Sequence, residues 1–291
     1  MYIWPDCFPC ITKMFMEVAR ISLNNEHAIQ TFTDAIEQQR PKTPHDFKIT
    51  SPEIIRNLWV MFQEISGIED PLKEVKKKQN DTALRLHPSV KESVLSSNDP
   101  LASAIKFSIS GNAIDIMTTG TDQPVEGIIQ KLQSFSLDAV DTEQFRERLS
   151  KAKKIIFFGD NCGEIVFDKI LIEIIQEHFG SNVTFVTRTL PVLNDATLKD
   201  ALYAGMDAVT HTIENGIRQP LPGTIIEKLP QELKTLIYGS DLVISKGGGN
   251  YDTLTEEAGL KGKISFLLQA KCRPYVTIYK VPLGSPIIAN M

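Results

Sequence analysis

The chain has 291 residues, 42% hydrophobic and 23% charged, enough for a substantial core spread over two structural units. A formal net charge of -5 leaves no basic footprint for nucleic acid or for an acidic membrane surface. No stretch approaches the roughly 20 apolar residues of a spanning helix, and Asp6, Lys13, Glu17 and Arg20 interrupt any signal-like run, so a cytoplasmic protein with reduced cysteines is expected.

Helical patterning fills residues 1–110, read as an N-terminal all-helical domain with a connection to about 150. Apolar residues at helical spacing place helices over 11–23 and 26–39, the second stopped by Arg40-Pro41. Ser51-Pro52-Glu53 opens a third, because Ser can cap and Pro suits a first turn, and Gly67 closes it. Asp70-Pro71 opens a fourth running to about Leu86, with a separate short helix over 88–96. Residues 101–110 form another, ending at Gly111-Asn112-Ala113-Ile114-Asp115; a short helix over 125–133 and a charged one over 142–150 follow.

From residue 154 strands and helices alternate, which points to an α/β domain over 151–291 with a mostly parallel sheet and helices on both faces. Strands are expected over 154–158, 183–187, 208–210, 242–245 and 263–270, with 277–281 as an added edge. Helices should cover 164–179, 196–204, 223–238 and 251–259. The pivotal stretch is Ile155-Ile156-Phe157-Phe158-Gly159-Asp160-Asn161-Cys162-Gly163-Glu164. Four consecutive large apolar residues read as a strand buried on both faces, delivering Asp160 and Asn161 into the turn before a helix. Open α/β sheets bind ligands there, beyond the carboxyl ends of their strands.

Other polar residues fall at the same sheet end. Arg188, Asn194 and Asp195 follow the second strand, and Lys246 and Asn250 flank a triple glycine after the fourth. Two carboxylates plus an amide oxygen suit a hard divalent cation that keeps positions for water and substrate. A lysine beside them suits a phosphate as the remaining ligand. Each acid has a plainer reading as a helix cap, and the triple glycine fits a turn as well as a phosphate cradle. Cys7 and Cys10 form a C-x-x-C; with Cys162 or Cys272 they could ligate zinc, but no second C-x-x-C exists. A redox role calls for a strand-to-helix setting that this pair lacks, so reduced, buried cysteines are the expectation. The five histidines share no ligand spacing.

Taken together, Asp-Cys-Phe-Pro-Cys at 6–10, Gly-Asn-Ala-Ile-Asp at 111–115, Gly-Asp-Asn-Cys-Gly-Glu at 159–164, Leu-Asn-Asp-Ala-Thr at 193–197, Lys-Gly-x-Gly-Asn-Tyr at 246–251 and Lys-Cys at 271–272 resemble the damage-control phosphatases, in their stand-alone microbial branch. The resemblance spans nearly the whole chain. It implies a helical domain on a Rossmann-like domain, and a divalent metal (manganese, cobalt, nickel or magnesium) on Asp160, Asn161 and Asp195. It further implies Lys246 on the phosphate of a small phosphorylated metabolite. Asn112 and Asp115 fall on the family's motif near the cleft. Apart from the resemblance, Asp115 is expected as a proton acceptor, and Arg188, Asn194 and Asn250 are expected to contact substrate. Gly248 departs from the polar residue expected at its position.

Three rivals frame the expectation. A covalent aspartyl mechanism at Asp160 would need a second acid two residues on, where Cys162 stands. An adenosylmethionine-dependent carboxyl methyltransferase would need a glycine-rich first turn and an acidic ribose ligand. A non-catalytic phosphometabolite-binding protein would keep the site and lose the chemistry.

Overall fold

The computed structural model describes residues 1–23, 25–111 and 134–291. Asn112, Asp115 and the helix expected over 125–133 lie outside the described residues. Helices α1 (Cys7–Ser22), α2 (Glu26–Gln38) and α3 (Ser51–Ser66) pack around Phe15, Phe32, Trp59 and Phe62, all fully buried. Their rings meet at tilted and edge-on angles with centroids 5.2–6.3 Å apart. Thr50 and Glu53 form a capping box on α3, and left-handed Gly67 ends it.

Next come α4 (Lys73–Leu95), α5 (Pro100–Ser110) and α6 (Ala139–Lys151). Strand β1 (Lys154–Phe158) sends Ile155 and Phe157 into one core and Ile156 and Phe158 into another, the two-residue period of a strand buried on both faces. Then follow α7 (Glu164–Phe179), β2 (Asn182–Thr187), α8 (Leu198–Tyr203), β3 (His211–Glu214), α9 (Gln231–Tyr238), β4 (Leu242–Lys246), α10 (Gly247–Leu254), β5 (Ile264–Gln269), α11 (Arg273–Tyr279) and β6 (Pro286–Asn290).

The sheet runs β3-β2-β1-β4-β5-β6. Every pairing is parallel except β5 with β6. This is a Rossmann-like α/β sheet whose order reverses between β1 and β4, opening a crevice at their carboxyl ends. One core joins residues of α4 to α7 to one face of the sheet; the other joins α9, α10 and α11 to the opposite face. The α1–α3 cluster takes in Val192, fully buried, from the loop after β2. With the partly buried Leu193 beside it, that side chain anchors the loop against the helices facing the crevice.

Five expected elements differ. The third strand is His211–Glu214 rather than 208–210, because Val209 and Thr210 donate back to the Met206 carbonyl in a turn. Residues 277–281 do not form an edge strand: Pro274 starts α11 there, and β6 makes the edge instead. Helix α4 continues through Pro88, whose missing N–H removes one helical bond while Leu86, Val90 and Val94 keep their buried face. Residues 223–230 hold only a short 3-10 turn, Ile226–Lys228, before α9. The triple glycine is the first turn of α10, which ends at Leu254.

Candidate active site

Gly159 ends β1 and passes the chain to Asp160 and Asn161 at the switch point. The loop after β2 folds back over them, so that Asn161 and Asp195 form an isolated antiparallel bridge. The Ala196 N–H donates to the Asp160 carbonyl at 2.8 Å, and the Cys162 N–H to the Asn194 carbonyl at 2.9 Å. Leu193, at φ 47, makes the turn that returns the chain toward Asp195. Residues remote in sequence thus meet at one point.

Three side chains converge there, all buried: Asp160, Asn161 and Asp195. The Asn161 amide nitrogen donates to Asp160 Oδ2 at 2.9 Å, leaving its carbonyl oxygen as an acceptor. Arg188 spans both acids: Nε donates to Asp195 Oδ2 at 2.7 Å, while Nη2 stands 3.5 Å from Asp160 Oδ1. Its Nη1 donates to Asn250 Oδ1 at 2.9 Å and to Thr224 Oγ1 at 3.3 Å. Asn250 in turn donates to the carbonyls of Gly159 and Lys246, tying the ends of β1 and β4 together.

One guanidinium does not neutralise this pair. Burial, then the facing Asp195 and Glu164 carboxylates, push the Asp160 carboxyl up to about 8. Burial also raises Asp195, against the pull of Arg188.

Lys246 lies elsewhere. It is fully buried, with its ammonium bonded to Glu164 Oε1, to Asp168 Oδ1 at 2.8 Å and to the Ser108 carbonyl at 2.8 Å. Burial alone would depress its pKa, but the Asp168 and Glu164 carboxylates hold it above the ordinary value. Burial pushes Asp168 up to about 6 even with this partner. Sequence reasoning gives Glu164 no role although it closes the 159–164 motif, and it misses Asp168, whose only signal is an acid four residues on along a mostly apolar helix.

Two glycines are required by contact. Gly247 has φ +76, and a Cβ there would fall 2.0 Å from Asp160 Oδ2; a Cβ on Gly249 would fall 1.8 Å from the Pro222 carbonyl. The space beside Gly248 is taken by Tyr275, whose hydroxyl donates to the Gly248 carbonyl at 3.2 Å.

The acids open onto a cavity of about 310 Å³. Asp160, Asn161, Asn194 and Asp195 form one wall and first-turn residues of α1 and α3 another, with Gly248, Gly249, Lys271 and Tyr275 completing it. Asn194 also donates to Gln79 Oε1 at 3.4 Å. Arg188, Lys246 and Asn250 stand behind the lining rather than in it. Lys271, in the sequence only one member of a motif, is exposed and its charge lowers the Asp160 pKa. A larger groove of about 810 Å³ between α4 and α8 contains none of the converging acids.

These residues fit a hard divalent cation. Two carboxylates and an amide oxygen supply its preferred donors, and the Asp160 carboxyl is raised first by burial and then by the facing carboxylates. Among the described residues no three His, Cys, Asp or Glu side chains group to hold a metal ion. Nor is any helix of the described residues long and apolar enough to cross a membrane.

Comparison with known proteins shows the family. The family described as the damage-control phosphatase ARMT1-like domain matches residues 3–287. A damage-control phosphatase of Archaeoglobus fulgidus is 33% identical over 99% of this chain and 98% of its own. One from Pyrococcus horikoshii is 31% identical over 75% of this chain and 74% of its own. The crystal structure of a DUF89 family protein from P. horikoshii superposes with a TM-score of 0.86 at 24% identity, covering 100% of this chain and 99% of that one. Matched over nearly its full length, the chain belongs to the damage-control phosphatase family.

Proposed function

We propose that this phosphatase hydrolyses small phosphomonoesters, sugar phosphates or damaged phosphorylated metabolites, with a divalent cation such as manganese held by Asp160, Asn161 and Asp195. The observation that carries the reading is a buried acid pair lining a cavity ringed by helix starts. First-turn residues of α1, α3 and α10 line it together with the turn that leads into α7. Helix N-termini favour anions through their unpaired N–H groups and dipoles. A cation with bound phosphate satisfies both demands at once. The volume sits at the small end of ligand sites, roughly 300–1,000 Å³, which suits a compact metabolite.

When bound, the cation would polarise the phosphoryl group and lower the pKa of an attacking water. The protein's own work is placement and charge. Arg188 keeps Asp195 oriented and stands beside Asp160, so the donor oxygens are set before substrate arrives. Exposed Lys271 faces the same space and is positioned to pair with phosphate oxygens. The N–H groups opening α10, which Gly247 and Gly249 allow to lie close, favour charge on the transferring group. Lys246 holds α7 and β4 in register from behind through Glu164 and Asp168.

Phosphate release from a panel of phosphoesters, with manganese and with chelator, tests the reading. Hydrolysis should need the metal and should fall about a hundred- to a thousandfold in Asp160→Ala. Chelator-resistant release, unchanged in that variant, would remove the cation from the mechanism.

A further inference from the structure

The C-x-x-C motif plays no part in the reaction as derived, yet Cys7, Cys10 and Cys272 all line the cavity that holds Asp160 and Asp195. All three are free thiols, and they differ in access: Cys10 is exposed, Cys7 and Cys272 half-buried. Only Cys162 meets the expectation of a buried cysteine. Cys7 and Cys10 share the first turn of α1, three residues apart and therefore on one helix face. Cys272 sits on a different element, at the cap of α11.

We infer that Cys7 and Cys10 are an oxidisable dithiol that closes to a disulfide at the expense of a small-molecule disulfide, and that closure weakens the hold of the cavity on phosphate. The second half of this rests on the phosphate-binding reading above. Burial raises the Cys7 thiol and pushes Cys272 up to about 11, so exchange starts at exposed Cys10. Cys10 sulfur, its proton lost to solvent, attacks one sulfur of the disulfide R–S–S–R. The S–S bond breaks, Cys10–S–S–R forms and R–S⁻ leaves to take up a proton. Cys7 then loses its proton and attacks Cys10 Sγ, expelling the second R–S⁻, which is protonated in turn. Two protein thiols are oxidised, and one small disulfide is reduced to two thiols.

Closure has a mechanical consequence. Side chains three apart on a helix have Cβ atoms about 5–6 Å apart, whereas a disulfide needs about 3.5–4.5 Å. The first turn of α1 must tighten, drawing Cys7 away from the Trp4 N–H, 3.3 Å from its sulfur, and from the Ser51 hydroxyl. Ser51 and Asp6 line the same cavity, so its wall moves with the bond.

The test uses the full chain, reduced and then equilibrated with oxidised glutathione, alkylated, digested and read by mass spectrometry. Wild type should give a Cys7–Cys10 linkage. Cys7→Ser should stop with glutathione on Cys10, and Cys10→Ser should form no linkage. Calorimetry with inorganic phosphate and manganese should then show about tenfold weaker binding for the linked protein, restored by dithiothreitol. Absence of the linkage, a bond from Cys10 to Cys272 instead, or equal phosphate binding by linked and reduced protein overturns the inference. Reduced protein that binds no phosphate overturns it too. Phosphate bound without ester hydrolysis would instead fault the catalytic reading and leave the dithiol standing.

Discussion

Two buried acid pairs among the described residues each lie against one buried basic side chain, and they are not equivalent. Lys246 bonds both Glu164 and Asp168, and the Ser108 hydroxyl adds a second donor to Asp168 at 2.6 Å. That cluster is sealed: Lys246 and Asp168 have no exposed surface. Arg188 bonds Asp195 but only approaches Asp160, and both acids reach a cavity. The Asp168 carboxyl is pushed up to about 6 and the Asp160 carboxyl to about 8. A closed pair that reaches no cavity is architecture, even with Asp168 Oδ2 left without a hydrogen-bond partner. An open pair beside a cavity is where the proposed cation would sit.

Removing the basic partner from the closed pair should have the largest effect on stability. Lys246→Met strands two buried carboxylates and should cost about 3–5 kcal/mol in urea unfolding. Adding Glu164→Gln and Asp168→Asn should recover much of that loss. Equal stability of the single variant and wild type would show that the pair is not self-contained.

A pH series sharpens the same contrast. Folding raises Asp168 from 3.8 to about 6, chiefly through burial and against the attraction of Lys246. Its contribution is therefore fully present below the unfolded value and is lost as pH rises through the folded one. Wild type should exceed Asp168→Asn by most near pH 4, with the gap narrowing by up to about 3 kcal/mol above pH 6. A gap that widened with pH would mean that pairing outweighs burial here. The smallest effect belongs to the cavity wall. Lys271→Ala should raise KM for a phosphoester about tenfold, about 1.4 kcal/mol, with less change in kcat, whereas an unchanged KM would take Lys271 off the phosphate.

Much of this arrangement is legible in the order of amino acids alone, and the exceptions have causes. Helix α7 is legible to its ends because Gly163 and Gly180 bracket an apolar run. Asp160, Asn161 and Asp195 are legible because a fully buried strand and a polar loop mark the carboxyl end of a sheet. Strand β3 is not, since His211-Thr212-Ile213-Glu214 lies half-exposed at an edge with one large apolar side chain. Residues 277–281 carry β-branched and aromatic types that favour strands, and local propensity yields to the helix that Pro274 starts. The surroundings of Lys246 are illegible for another reason: its acids lie 82 and 78 residues away, and nothing local shows which buried polar groups will meet. The cavity wall from α1 and α3 is hidden in the same way.

The crossed loops after β1 and β2 carry a last consequence. Backbone bonds from Ala196 to Asp160 and from Cys162 to Asn194 pass in opposite directions between them, with Val192 pinned among the helices. Neither loop can lift without breaking the bonds that hold the other, so their amide protons exchange with solvent through a single shared opening event. Local breathing on either side therefore pulls Asp160, Asn161 and Asp195 apart together, and the cluster exists whole or not at all.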